Sequence, residues 1–182
     1  MRYGGWALLG FLAALHPAAA ETYRLDPANT RVAFEVLHFG IPWASAHFRS
    51  VSGEFAIDRA GAASRIDVRV PIASLECNDP RWNARLLSAE WLDAQRYPQM
   101  LYRADRILLG DGWAMASGLL TLHGVTREVV LDVNLRGCKS SGACQFSAHG
   151  RIRRSDFGLP HGFWTGGDQV EISIGGTVGG AS

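Results

Sequence analysis

The chain has 182 residues, room for one domain, with 47% hydrophobic residues and a formal net charge of +1. The 18 Lys and Arg against 17 Asp and Glu leave no excess of basic charge, which argues against a nucleic-acid binder. No run of apolar residues is long enough to span a bilayer as a helix.

Residues 1–20 read as an export signal. Met1-Arg2 is a short basic start, WALLGFLAAL is an apolar run, and AAA at 18–20 offers small residues at both cleavage positions. No Cys follows the run, so a lipoprotein anchor is not expected. Cleavage before Glu21 removes one Arg and no acid, which leaves a domain of residues 21–182 with net charge zero. Its expected location is the periplasm of a double-membrane bacterium.

Period-two alternation dominates that domain. RVAFEVLH (31–38) puts Val32, Phe34, Val36 and His38 on one face. RIDVRVPI (65–72) puts Ile66, Val68, Val70 and Ile72 opposite Asp67 and Arg69. The rhythm then breaks. NDPRWNARLLSAEWLDAQRYP offers Asp79 as an N-cap, Pro80 at the first helical position, and Trp82, Leu86, Trp91 and Leu92 near helical spacing. This predicts a short helical insertion over about 79–94, stopped by Pro98.

Alternation resumes after Pro98. LGDG (109–112) is a tight hairpin. In LTLHGVTREVVL (120–131), His123-Gly124 falls between two alternating runs and reads as a turn rather than a catalytic base. Val129, Leu131, Val133 and Leu135 share a face, as do Phe146, Ala148, Gly150 and Ile152, and Val170, Ile172, Ile174 and Val178. One apolar and one wet side per strand is the mark of antiparallel sheet. About eight such strands, joined by short turns, predict an all-β, antiparallel barrel, because closure removes exposed edges.

Export makes disulfides accessible. Cys138 and Cys144 flank KSSGA, a plausible hairpin loop, and a bridge there would contribute roughly 2 kcal/mol. Cys77 is then a leftover thiol, expected to pack in a loop or the core.

The inward faces are mixed. Gly53, Ala104, Ala114, Ala116, Gly118, Ala148, Gly150 and Gly176 are small and share the inner side with large residues. Eight strands are just filled by side chains, or hold one ligand when some are small. Alternation leaves a cavity and a solid core both open. A cavity would suit a long apolar tail. Twenty buried carbons at about 0.8 kcal/mol each outweigh a head-group hydrogen bond of about 1 kcal/mol. Catalytic signals are missing: no GxSxG elbow, no HExxH, no phosphate loop. The expectation is a binding protein, not an enzyme, with no catalytic residues, cofactor or metal.

Four ordered stretches resemble the YceI-like, polyisoprenoid-binding family. They are YRLDPANTRVAFEVLHFG (23–40), RLLSAEWLDAQRYPQMLYRA (85–104), GLLTLHGVTREVVLDV (118–133) and RIRRSDFGL (151–159). Departures are Ala46, where the family often has Gly, and the Cys138/Cys144 hairpin. The resemblance implies an exported lipocalin-like barrel holding one long amphiphilic lipid, isoprenoid or fatty-acyl, for transport, storage or protection. Transient contact with a membrane surface and a homodimer are both compatible with it. The lipid-binding residues expected are Phe34, Val36, His38, Phe48, Phe55, Val68, Leu86, Trp91, Met100, Tyr102, Leu120, Leu131, Phe146, Ala148, Ile152 and Ile172. His38 is the candidate head-group contact. Arg154 and Asp156 are rim residues or a structural ion pair. Two alternatives stand beside this reading: a lipid hydrolase or isomerase using His38, and a structural barrel with a filled core.

Overall fold

The structure, a computed structural model, describes residues 21–57, 64–137, 143–162 and 167–179. In chain order it contains β1 (Glu21–Leu25), β2 (Arg31–His38), β3 (Ile41–Phe48), β4 (Ser52–Ile57), β5 (Arg65–Pro71), β6 (Leu75–Glu76), α1 (Pro80–Leu87), β7 (Gln99–Leu109), β8 (Trp113–Leu122), β9 (Val125–Arg136), β10 (Cys144–Arg153) and β11 (Gln169–Gly179). The ring β1-β4-β5-β7-β8-β9-β10-β11 closes on itself through β1–β11, so the barrel has eight antiparallel strands, as the alternation predicts.

The other three strands continue ring strands beyond a break. β1 and β2 both pair with β11, through Leu25↔Val178 and then Val32↔Ile174. The chain between them loops out at DPANT, where Pro27 has no N–H to give the ladder. The Asp26 carboxylate caps that loop by accepting from the Ala28 N–H (3.0 Å) and from the Asn29 side chain (2.6 Å). β3 and β4 are separated by three residues, and β5 and β6 by a 3-10 turn at Ile72–Ser74. The breaks fall on adjacent strands at one level. Above that level β2, β3 and β6 form a flap hinged on β11, and among the described residues no further strand pairs with β6. The wall therefore parts between β6 and β7, the two strands that α1 connects.

α1 begins where the sequence predicts. Asp79 accepts from the Arg81 N–H and Pro80 occupies the first turn. It is shorter than the expected 79–94. The Ser88 N–H and hydroxyl both turn back to the Arg85 carbonyl, at 3.1 and 2.7 Å. Turns then carry the chain to β7, with the Trp91 N–H donating to the Ser88 carbonyl and the Tyr97 N–H to the Asp93 carbonyl. The β8–β9 connection is a two-residue turn with positive φ at His123 (51°) and Gly124 (73°), the pattern of a type I′ hairpin. His123 is a turn residue with a fixed side chain. Its ring lies 4.8 Å from that of Tyr97, and its Nδ1 is 3.2 Å from the Phe157 carbonyl oxygen.

The expected signal peptide (1–20) and Cys138, and with it the expected Cys138–Cys144 bridge, lie outside the described residues. Cys77 is a half-buried free thiol.

Candidate functional site

Strand direction fixes two ends. One carries α1, the β2–β3 and β8–β9 hairpins and the β10–β11 connection. The other carries the β7–β8 hairpin and the start of β1. The interior divides accordingly into two cavities stacked along the axis. The lower one is about 60 Å3 and lined by apolar side chains such as Leu25, Val32, Phe55, Tyr102, Leu131 and Phe146. The upper one is about 550 Å3 and lies among β2, β3, α1 and the tops of β8, β10 and β11. The boundary is sharp. Leu120 lines the lower cavity and Leu122 the upper; Ile172 and Val170 divide the same way on β11, and Val32 and Phe34 on β2. Phe48, 1% exposed and paired with Val32, packs edge-on to Phe34 at 5.2 Å and floors the upper cavity.

The upper cavity is apolar below and mixed at its side. Trp43, Ala44, Ser45, Asn78 and Trp82 line it and are exposed, so it opens laterally between β3 and α1. Cys77 lies in the same wall, its N–H donating to the Asn83 side-chain carbonyl at 2.8 Å and its thiol to the Asp79 carbonyl. Among the described residues no cluster of His, Cys, Asp and Glu is disposed to hold a metal ion.

Arg154 is the buried charged group of this wall, which also includes Asp79, the cap of α1. It is 5% exposed, lines the cavity, and sets its guanidinium carbon 5.9 Å from the Trp91 ring. Trp91 meets Trp82 edge-on at 6.4 Å, and Arg85 stacks over Trp82 at 5.4 Å, so two cations flank an aromatic pair. Burial pulls the Arg154 pKa down, and the Asp168 carboxylate opposes that pull. Asp168 is itself lowered. Burial raises its pKa, but the Ser155 N–H (2.8 Å) and hydroxyl (2.7 Å), with the charges of His161 and Arg154, outweigh it. The carboxylate coupled to Arg154 is thus Asp168, at the entry to β11, whereas Asp156 is exposed.

The expected residues sort cleanly. Phe55, Val68, Met100, Tyr102, Leu120, Leu131, Phe146, Ala148 and Ile172 line the lower cavity. Phe34, Val36, Phe48, Leu86, Trp91 and Ile152 line the upper one. His38 lines neither. A register shift between Val36 and Leu37 ends the alternation, burying Leu37 and leaving the His38 ring against Phe39 (4.5 Å) and Trp43 (5.3 Å) at the hairpin tip.

The small inward residues also have a different use from the one expected. A Cβ on Gly118 would sit 2.4 Å from the Arg103 carbonyl oxygen, and one on Gly150 would sit 2.5 Å from Leu131 Cδ2. These residues let strands and side chains approach closely; of the eight, Ala116 and Ala148 line a cavity, and it is the small one. The large space comes from the parted wall. The expected set omits Trp43, Cys77, Leu122, Leu159 and Val170, which line it, although alternation does put Leu122 and Val170 on the inward side. Their signal lay in position, at strand ends and in the segment that α1 spans.

These features define a class: a closed eight-stranded antiparallel barrel with a laterally open, largely apolar cavity beneath a short helix. A family model described as the YceI-like domain matches residues 23–178, and the chain belongs to that family. A UPF0312 protein of Enterobacter sp. (strain 638) is 29% identical, covering 93% of this chain and 92% of its own length. Burkholderia cenocepacia BcnA has the same fold, with a TM-score of 0.74 at 24% identity over 84% of this chain and 98% of its own. So does a polyisoprenoid-binding domain from Saccharophagus degradans, with a TM-score of 0.66 at 16% identity over 87% of this chain and 98% of its own.

Proposed function

We propose that this is an exported, periplasmic binding protein that holds the tail of one long-chain amphiphile, isoprenoid or fatty-acyl, in the upper cavity. The observation that carries the reading is that cavity: about 550 Å3, walled by aromatic and aliphatic side chains. Small-molecule sites of about 300–1,000 Å3 with few polar groups have this form. The polyisoprenoid-binding domain of the same fold supports the isoprenoid choice. Arg154, rather than His38, takes the head-group role. A guanidinium in an apolar wall favours a carbonyl, hydroxyl or anionic head, and it reads that head while the tail supplies most of the affinity. Residues 1–20 act as the cleaved signal, and Cys138 and Cys144 form a disulfide in the exported protein.

Native mass spectrometry of the protein recovered from the periplasm, followed by solvent extraction, tests the reading. A stoichiometric prenyl or acyl species, returned unchanged, is expected, and Arg154→Met should select against ligands with acceptor heads. A protein that emerges empty and ignores added prenols, quinones and fatty acids overturns the proposal. A processed lipid in its place would point to catalysis.

A further inference from the structure

The β2–β3 hairpin closes through Phe39 and Gly40, with φ of 54° and 77°. The turn thus puts a bulky aromatic residue in the left-handed region, which Asn, Asp or Gly occupies with less strain. The contrast with the β8–β9 turn is informative, because His, found there, is enriched at such positions and Phe is not. Phe39 is also 84% exposed, and Ile41 and Trp43 on the next strand are 68% and 63% exposed. A backbone held in a disfavoured conformation to present an apolar side chain to water indicates a demand from outside the fold.

The position of the tip shows what that demand is. Trp43 belongs both to this patch and to the cavity wall, and across the opening stands Trp82 of α1, 47% exposed and stacked under Arg85. Segment 37–47 (LHFGIPWASAH) has no acidic residue to repel phosphate head groups. Trp and Phe flanked by Arg suit the boundary between acyl chains and head groups.

We propose that the β2–β3 hairpin tip and the exposed edge of α1 form a bilayer-docking surface that seats the cavity mouth on a lipid interface. The inference rests on the lipid-binding reading for its purpose, since a tail loaded from an apposed bilayer need not cross water. Its evidence, the exposed and strained tip, is separate.

The test is flotation of the mature protein with phosphatidylethanolamine–phosphatidylglycerol vesicles, comparing wild type with Phe39→Asn and Phe39→Asn/Ile41→Ser. Asn is at ease at positive φ, so Phe39→Asn should keep or raise the thermal midpoint while weakening vesicle partitioning; the double variant should lose roughly tenfold or more. Uptake of a prenol from solution should be unchanged in both variants, because neither Phe39 nor Ile41 lines the cavity. Wild type that stays with the aqueous phase overturns the docking surface whatever the cavity binds. So does equal flotation of all three proteins, or a dimer in vesicle-free sedimentation that the double variant abolishes. A protein that floats but takes up no prenol retains the docking surface and removes the lipid-binding reading.

Discussion

Tyr102 buries a hydroxyl beside the lower cavity, 2.8 Å from the Ala116 carbonyl oxygen and 3.2 Å from that of Val129. Its one proton ties β7 to β8 and β9, and burial raises its pKa above the ordinary phenol value, so it stays a neutral donor. Tyr102→Phe should cost about 1–2 kcal/mol, because buried carbonyls lose a partner, and thermal unfolding reads this directly. Ligand uptake in the upper cavity should not change. Asp168 gives a second residue-scale expectation. Its carboxyl is held below its ordinary value, about 3.9 when unperturbed. A depressed carboxylate contributes stability that is complete above the unfolded pKa and lost as pH falls through the folded one. Ser155→Ala removes the hydroxyl that helps hold it down. The variant should therefore be less stable than wild type at neutral pH, and the gap should narrow as pH falls below the unfolded value of about 3.9. Acid titrations of both proteins, followed by tryptophan fluorescence and thermal midpoint, measure that gap.

Among the strands, β8 shows how closely the barrel is drawn together. Gly118 faces Ala104 across the β7–β8 ladder, next to a register shift at Ala104/Arg106, and an added Cβ would meet the Ala104 Cβ at 2.7 Å as well as the Arg103 carbonyl. Gly118→Ala should cost about 1–3 kcal/mol by overpacking, although Ala is ordinarily the better strand residue. A variant as stable as wild type in denaturant melts would show that the strands can part there. The same position explains what the sequence could reveal. Alternation correctly marks which side of β5, β8, β9, β10 and β11 faces inward, because side-chain direction is a local property. It cannot report the distance to the opposite wall, so small inward residues suggest a void where the strands in fact close up. Asp79 and Pro80 announce the start of α1 because capping is local, whereas its end depends on Ser88 and on turns that no period marks. The bulge after Val36 was equally hidden, and it is what turns His38 away from the site. The parting of β6 from β7 was the least visible feature, since it depends on which strands find no partner.

The whole molecule joins a tightly packed lower barrel to an open upper one, and the division bears on how long a ligand it accepts. On the proposed reading, a tail entering between β3 and α1 would meet Phe48, which lines the cavity of about 550 Å3 and whose ladder partner Val32 lines the one of about 60 Å3. Fully buried and edge-on to Phe34, Phe48 is a core residue that would also stop such a tail. Phe48→Ala should cost about 3–5 kcal/mol, and Phe48→Leu less, as expected for a large residue lost from a packed interior. Both should join the two spaces. Competition with a series of prenols or fatty acids of increasing length should then show the preferred length moving upward, further in Phe48→Ala than in Phe48→Leu. A stability loss with unchanged length preference would mean that the tail never reaches Phe48. Chain length would then be set near the opening, where Trp43, Trp82 and Trp91 crowd the entrance, and the lower cavity would be a packing defect of the barrel with no part in binding.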